Sequence, residues 1–273
     1  MEFGEHVFPT EFLPMGAVVT AAGTGAEMNN GAVITNIEKK IKTGVVGAFA
    51  EFAALDPAYT VSLPVKQVIS GAFDTLSHCM ETYFGSPRTT NVSDEINEAV
   101  MQNVIRNLRL VVENLQDTDA RRELMWDSAM AENGILKCGR VTDFQAHQIE
   151  HQLGAYTDCN HGQGLAVIHP ALYRVMCEKA PEKFARFAVN VWGISGEGKA
   201  EGELAAEGVD ALEAFIQECG LPARLSELYM KVDASKLLTS GMLREIADSS
   251  SLIGTGYVSV SHEEIFQILK KCL

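Results

Sequence analysis

The sequence predicts a mainly α-helical protein in which a short segment of strands precedes one helical domain. From Val65 to the end of the chain, apolar residues recur at the three- and four-residue spacing of amphipathic helices. Before Leu63-Pro64, short apolar or β-branched runs alternate with glycine- and lysine-rich turns. These two textures predict a division of the chain into residues 1–63, with strands and turns, and residues 64–273, with helices.

The elements follow in chain order. The predicted strands are Ala17–Thr20, Ala32–Thr35 and Phe52–Leu55. The predicted helices cover residues 65–84, 91–115, 120–137, 142–155, 163–178, 181–192, 200–219, 234–247 and 262–271, with glycine or proline at most of the breaks. A complete doubly wound nucleotide-binding domain needs strands alternating with helices, and this order cannot be laid out before Pro64.

Charge and composition exclude several classes of partner. With 22 basic and 36 acidic side chains the net charge is -14, which opposes binding to nucleic acid and to anionic membrane surfaces. No apolar run reaches the length of a membrane span, and the acidic start Met1–His6 lacks the basic residues of a signal peptide, so we expect a cytoplasmic protein. The six cysteines are scattered and predict reduced, mostly packed thiols, and Trp126 and Trp192 are predicted to lie in the core.

Two polar pairs interrupt otherwise apolar helices and indicate a metal site. Asp74 and His78 are four residues apart, as are His147 and His151, so each pair projects from one face of its helix. His161 is predicted at the entrance of the following helix. Imidazole and carboxylate ligands together suit Fe(II), Zn(II), Ni(II) or Mn(II). The spacing alone leaves open whether His147 or His151 binds the ion.

A helical metal hydrolase is an alternative interpretation of the second pair. His147–His151 fits the inverted His-x-x-Glu-His peptidase pattern, in which Glu150 would be the general base. That pattern has only three fixed positions, and it leaves Asp74 and His78 without a role.

A resemblance to a known family covers nearly the whole chain. The segments that carry it are Pro14–Asn29, Leu55-Asp56-Pro57, Leu63-Pro64, Gly71–His78 and His147–Gly162. In this order they resemble the iron-containing (group III) alcohol dehydrogenases, most closely the branch of NAD(P)H-dependent butanol dehydrogenases and aldehyde reductases. The resemblance implies the all-helical metal-binding C-terminal domain of the dehydroquinate synthase-like fold. Residues 1–63 would then be a remnant of the α/β cofactor-binding domain, so that the chain looks like a family member without roughly its first third.

The resemblance also implies roles for the candidate site residues. Asp74, His78, His147 and His161 would be the metal ligands, and His151 would be a non-ligand histidine near the substrate, able to pass on the hydroxyl proton. The implied reaction is hydride transfer between NADP or NAD and a primary alcohol or aldehyde, whose oxygen the metal binds as a Lewis acid.

Cofactor residues are implied by the same resemblance. Thr20, Gly23, Thr24 and Gly25 are similar to the family loop that lies along the nicotinamide half of the dinucleotide. Lys42 falls where the family has a lysine reaching the cofactor, and Leu63 where an aliphatic residue meets its adenine side. No Gly-x-Gly-x-x-Gly turn occurs in the sequence. A noncatalytic metal-binding or assembly module derived from such an enzyme is therefore the second hypothesis, and a homodimer is expected because dimers are common in the family.

Overall fold

The computed structural model describes residues 11–228, 230, 238–254 and 256–273. Its strands are β1 (Gly16–Val18), β2 (Gly31–Asn36), β3 (Ile41–Val46) and β4 (Phe52–Ala54). β1 pairs in parallel with β4, and β2 pairs antiparallel with β3 to form a hairpin. The three predicted strands are confirmed, but β3 was missed because Lys42 and Gly44 gave its sequence the texture of a lysine-rich turn.

Helices make up most of the remaining described chain. They are α1 (Val65–Tyr83), α2 (Val92–Glu113), α3 (Thr118–Glu132), α4 (Gln145–Thr157), α5 (His161–Lys179), α6 (Glu182–Asn190), α7 (Glu201–Glu218), α8 (Ser240–Ser249) and α9 (His262–Lys271). The mainly helical class is therefore confirmed. The predicted helix 120–137 ends early, at Glu132, because Gly134 takes a left-handed conformation with φ 95°. Residues 234–237 of the predicted helix 234–247 lie outside the described residues.

Polar residues at the helix starts explain several of the boundaries. The Asn91 and Asp117 side chains accept hydrogen bonds from the first turns of α2 and α3, and Asn160 does the same for α5. Ser261 begins α9 with a reciprocal capping box to Glu264. The start of α5 at His161 confirms its predicted place at a helix entrance.

Helix α1 runs through the middle of the helical domain. It packs against α2, α3 and α5, and almost every residue from Val68 to Tyr83 is buried. Phe73, Leu76 and Met80 are completely enclosed. Asp74 and His78 therefore sit inside the core, where a carboxylate is costly without a compensating positive or hydrogen-bonding partner.

Two predictions about packing have different outcomes. The placement of Trp126 in the core is wrong, because α3 turns Leu124 and Met125 inward and leaves Trp126 51% exposed. Trp192 is partly buried and packs against the core.

All six cysteines are free, and only Cys138 is exposed, which confirms packed thiols. Among the described helices, none is long and apolar enough to cross a membrane.

Candidate metal centre

Three helices converge on one buried point. Asp74 and His78 lie on α1, while His147 and His151 occupy the first two turns of α4. Asp158 ends α4 in a left-handed conformation with φ 51°, which allows the chain to reverse into α5 within three residues. His161, the first residue of α5, is thereby returned to the side of His147, with a ring-centroid distance of 5.2 Å.

The carboxylate of Asp74 is the centre of the arrangement. Its Oδ1 atom lies 3.4 Å from His161 Nε2, 3.5 Å from His147 Nε2 and 3.8 Å from His78 Nε2. The ligand atoms of Asp74, His147 and His161 all lie within 4.8 Å of one another. His78 stacks on His147 with ring centroids 4.6 Å apart. The structure therefore brings together all four residues predicted as ligands.

These distances fit a shared cation better than direct hydrogen bonds. Two ligand atoms about 2.1 Å from one metal ion in tetrahedral geometry are roughly 3.4 Å apart. Among the described residues, neither Asp74 Oδ1 nor His147 Nε2 has a hydrogen-bond partner, although both atoms are buried. Leaving a buried polar atom unpaired costs about 1–3 kcal/mol. A divalent ion between these atoms would satisfy both of them at once.

The pKa shifts of Asp74 and His78 favour the protonation states that bind metal, whereas Glu81 and Asp74 outweigh burial and raise the pKa of His147 to about 10, so that a metal ion must displace a proton from this ring. Burial alone would raise the pKa of the Asp74 carboxyl, but His78, His161 and His147 around it hold that pKa well below its usual range. Burial also lowers the pKa of His78. At neutral pH Asp74 is thus a carboxylate and His78 a neutral imidazole.

His151 lies one helical turn beyond His147 and faces a different neighbour. The centroid of its ring is 5.7 Å from that of His161. A ring nitrogen of His151 lies within 4.8 Å of ligand atoms of Glu150 and His161, whereas Asp74 belongs to the other cluster, with His147 and His161. Burial lowers the pKa of His151 to about 3, so its side chain is neutral. Of the two α4 histidines that spacing could not separate, it is His147 that lies beside Asp74.

A cleft of about 810 Å³ opens onto these side chains. The β2–β3 hairpin forms one wall, and the histidines of α1, α4 and α5 lie on the other, with Phe144 beside them. Small ligands bind in clefts of this size when a few polar groups converge in an otherwise apolar lining. Thr24 and Lys42, two of the predicted cofactor residues, line it.

The other predicted cofactor residues are placed less directly. The backbone N–H groups of Gly23 and Gly25 both donate to Ser128 Oγ, at 2.9 and 3.0 Å, which fastens their turn to α3. Thr20 is exposed. Leu63 lines a separate small cavity with Arg121, so the structure does not bring it together with the cleft residues.

Two buried glutamates were missed as parts of the site. Glu81 accepts a hydrogen bond from the Ala146 N–H group and contacts His147 Nδ1. Glu150 accepts a hydrogen bond from Lys42 Nζ at 2.9 Å and contacts His161 Nδ1. The signal for Glu81 was present in its position seven residues after Asp74, on the same face of α1. Glu150 is engaged on both sides, which argues against its role as the free general base of a hydrolase.

The fold and this centre define a class, that of helical proteins with a buried histidine–carboxylate site suited to one divalent metal ion. Comparison with known proteins then identifies the family. Residues 68–273 match the family model described as Fe-containing alcohol dehydrogenase family, C-terminal. The chain belongs to the iron-containing alcohol dehydrogenase family.

Individual relatives agree with this assignment. The chain is 33% identical to NADH-dependent butanol dehydrogenase A of Clostridium acetobutylicum over 96% of its own length and 67% of the relative's. It is 32% identical to the NADPH-dependent aldehyde reductase YqhD of Escherichia coli, over 79% of this chain and 56% of that protein. The crystal structure of NADH-dependent butanol dehydrogenase A from Thermotoga maritima superimposes with a TM-score of 0.86 at 31% identity, covering 96% of this chain and 67% of that one. The chain spans about two thirds of the length of the butanol dehydrogenases.

Proposed function

We propose that this chain is a metal-dependent oxidoreductase that interconverts a primary alcohol and an aldehyde with NAD(P)(H). The observation that carries the proposal is the convergence of three histidine Nε2 atoms on Asp74 Oδ1 at 3.4–3.8 Å, at the base of a cleft. The family membership and the names of the butanol dehydrogenase and aldehyde reductase relatives support the chemistry.

In this proposal Asp74, His78, His147 and His161 hold the metal ion. Fe(II) is favoured by the family description, and Zn(II), Ni(II) or Mn(II) have compatible ligand preferences. When bound, such an ion supplies Lewis acidity to the substrate oxygen.

His151 is proposed to handle the hydroxyl proton of the substrate. It lines the cleft, and within the described chain its Nδ1 atom has no hydrogen-bond partner. Because burial lowers its pKa, the neutral ring can accept a hydrogen bond from a hydroxyl group and has little tendency to retain a proton. The role of His151 is thus positioning and relay of the proton toward solvent.

The nicotinamide cofactor, NAD or NADP, is proposed to enter the same cleft beside Thr24 and Lys42. Both residues line the cleft, and the relatives include NADH- and NADPH-dependent enzymes. We further propose a cytoplasmic location, supported by the free buried cysteines, and a homodimer, supported by the exposed apolar residues of the strand segment.

Metal analysis and an activity assay test the proposal together. The purified chain should bind about one equivalent of Fe(II) or Zn(II) and reduce butanal with NADH or NADPH. Asp74→Ala and His147→Ala should each lose tight metal binding and activity. His262→Ala is the matched control, because this histidine lies on α9 and contacts the Ser250 carbonyl instead of the site. Equal metal content in all four proteins would refute the site.

One observation favours a second candidate, a noncatalytic metal-binding module. The Gly23 and Gly25 amides, which a cofactor phosphate could otherwise use, are both bound to Ser128. Titration of NADH and NADPH against the metal-loaded chain separates the candidates. Metal binding without cofactor binding at millimolar concentration would select the module, whereas cofactor binding with butanal reduction would select the enzyme.

A further inference from the structure

We propose that Glu81 and Glu150 are positioning residues that hold the protons of His147 and His161 on Nδ1, so that both Nε2 atoms are free to bind metal beside Asp74. The inference rests on the proposed metal site. It assigns a role to two buried carboxylates that contact the Nδ1 atoms of His147 and His161, and it concerns the orientation and tautomer of these ligands.

Glu81 is completely buried and has three hydrogen-bond contacts, from two backbone N–H groups and one imidazole ring. The Ala146 N–H group donates to Oε1 at 2.5 Å, and His147 Nδ1 contacts Oε2. Helix α4 begins after Phe144, whose side chain cannot accept a hydrogen bond, so Glu81 caps this helix from α1. The backbone N–H groups of Ala146 and His147 donate to Oε1 and Oε2 respectively, and donors on both oxygens favour the ionised, accepting form of this side chain. The proton between Glu81 and His147 then belongs to Nδ1, which leaves the lone pair on Nε2.

Glu150 likewise keeps the ring proton of His161 on Nδ1, although Lys42 is close enough to donate to the same nitrogen. Its Oε2 atom contacts His161 Nδ1 and accepts from Lys42 Nζ at 2.9 Å, while Lys42 Nζ itself lies 3.3 Å from His161 Nδ1. An ammonium group can only donate. Without the carboxylate, Lys42 would donate to Nδ1 of His161, and the ring proton would move to Nε2. In that tautomer Nε2 cannot bind a metal ion.

The Glu150 side chain packs closely against two glycines, where a larger residue would collide with it. A Cβ atom added at Gly164 would lie 2.8 Å from Glu150 Cγ, and one added at Gly154 would lie 3.1 Å from Oε1. Glu150 has no solvent exposure. Two glycines on α4 and α5 thus leave room for a carboxylate at the Nδ1 side of His161.

The test compares metal affinity in Glu81→Gln and Glu150→Gln with wild type, using Co(II) and Zn(II) alone as probes. Glutamine keeps the shape but brings an N–H donor that can stabilise the other tautomer. We expect each variant to bind about 10–100-fold more weakly, the range for loss of such a supporting partner. The Co(II) absorption spectrum should change as well. Glu98→Gln is the matched control, since Glu98 is a buried carboxylate bound to Tyr83, Arg186 and Asn190 and not to any ligand.

Two further measurements distinguish failure of this proposal from failure of the proposed metal site. The double variant Glu150→Gln/Lys42→Met removes the competing donor and should regain part of the affinity lost in Glu150→Gln. Nitrogen NMR of His147 and His161 should show protonated Nδ1 in wild type, with or without Zn(II), and a changed Nδ1 signal in the glutamine variants. If wild type binds no metal but shows protonated Nδ1, only the proposed function fails. Wild-type affinity and spectra in both glutamine variants, or unprotonated Nδ1 in wild type, would overturn the inference.

Discussion

Among single residues, Asp127 and Asp74 are two buried aspartates whose pKa values are shifted in opposite directions. Both are buried acids, but Asp127 has the Asn103 amide as its hydrogen-bond donor, at 3.0 and 3.1 Å, where Asp74 is surrounded by imidazoles. Burial, with a further contribution from Glu123, raises the pKa of Asp127 to about 7. A carboxyl group therefore titrates near neutral pH in the folded protein without any metal-site geometry around it.

This pKa predicts a pH-dependent stability. The folded pKa lies above the unfolded value, so the group contributes stability at acidic pH and loses it as pH rises toward 7. Asp127→Asn should be more stable than wild type at pH 8 by about 1–3 kcal/mol, and this difference should shrink steadily as the pH falls to about 4, near the pKa of an unfolded aspartate. Chemical denaturation across this range measures it. Asp119→Asn, at an exposed position of the same helix, should show no such trend, and a constant difference for Asp127→Asn would contradict the prediction.

At the scale of elements, one close contact fastens the glycine turn to α1. A Cβ atom at Gly71 would lie 2.1 Å from the Ala22 carbonyl oxygen, so only glycine fits there without moving the backbone. The same turn is held from α3 by Ser128, and it places Thr24 at the cleft. The wall of the cleft therefore depends on contacts with two helices.

Gly71→Ala should reveal this dependence. We expect it to destabilise the protein by about 1–3 kcal/mol because the backbone of the turn must shift. Gly202→Ala, in α7, meets no atom within 4 Å and should stabilise by about 0.4–1 kcal/mol. Urea denaturation of the two variants provides the comparison. A Gly71→Ala variant as stable as the wild type would show that the turn is not held as described.

Most of the elements, but not all of them, could be predicted from the sequence. Helical periodicity located the helices because each buries one face, and the four-residue spacings found the two ligand-bearing ones, α1 and α4. The sequence patterns did not predict β3, the strand from which Lys42 donates a hydrogen bond to Glu150. They also placed Trp126 on the buried face of α3, whereas it is exposed. The supporting role of Glu81 depends on how α1 meets the start of α4, a contact between distant parts of the chain that no local pattern contains.

At the scale of the whole molecule, apolar surface is concentrated before the first helix. Val33, Ile34, Val46 and Phe52 are all more than half exposed on short strands, and β1 and β4 form a sheet of only two strands. Unpaired strand edges with apolar side chains favour association with another chain.

The isolated chain is accordingly expected to self-associate in a concentration-dependent way. Ile34→Lys combined with Phe52→Lys adds charge to this surface and should shift the protein toward monomer, as measured by sedimentation velocity. Leu252→Lys, at an exposed apolar position outside the strand segment, is the control and should leave the distribution unchanged. A monomeric wild type at all concentrations would contradict the expectation.

The meeting of α1, α4 and α5 has a consequence for folding thermodynamics. An ion held by Asp74 and His161 would act as a removable cross-link between points 87 residues apart in the chain. Because the unfolded chain has no such site, occupancy adds to the free energy of unfolding by mass action, about 2.7 kcal/mol at a metal concentration 100 times the Kd. Chelation should therefore lower Tm in the wild type and leave it unchanged in Asp74→Ala, so that calorimetry would measure the affinity of the centre without any substrate.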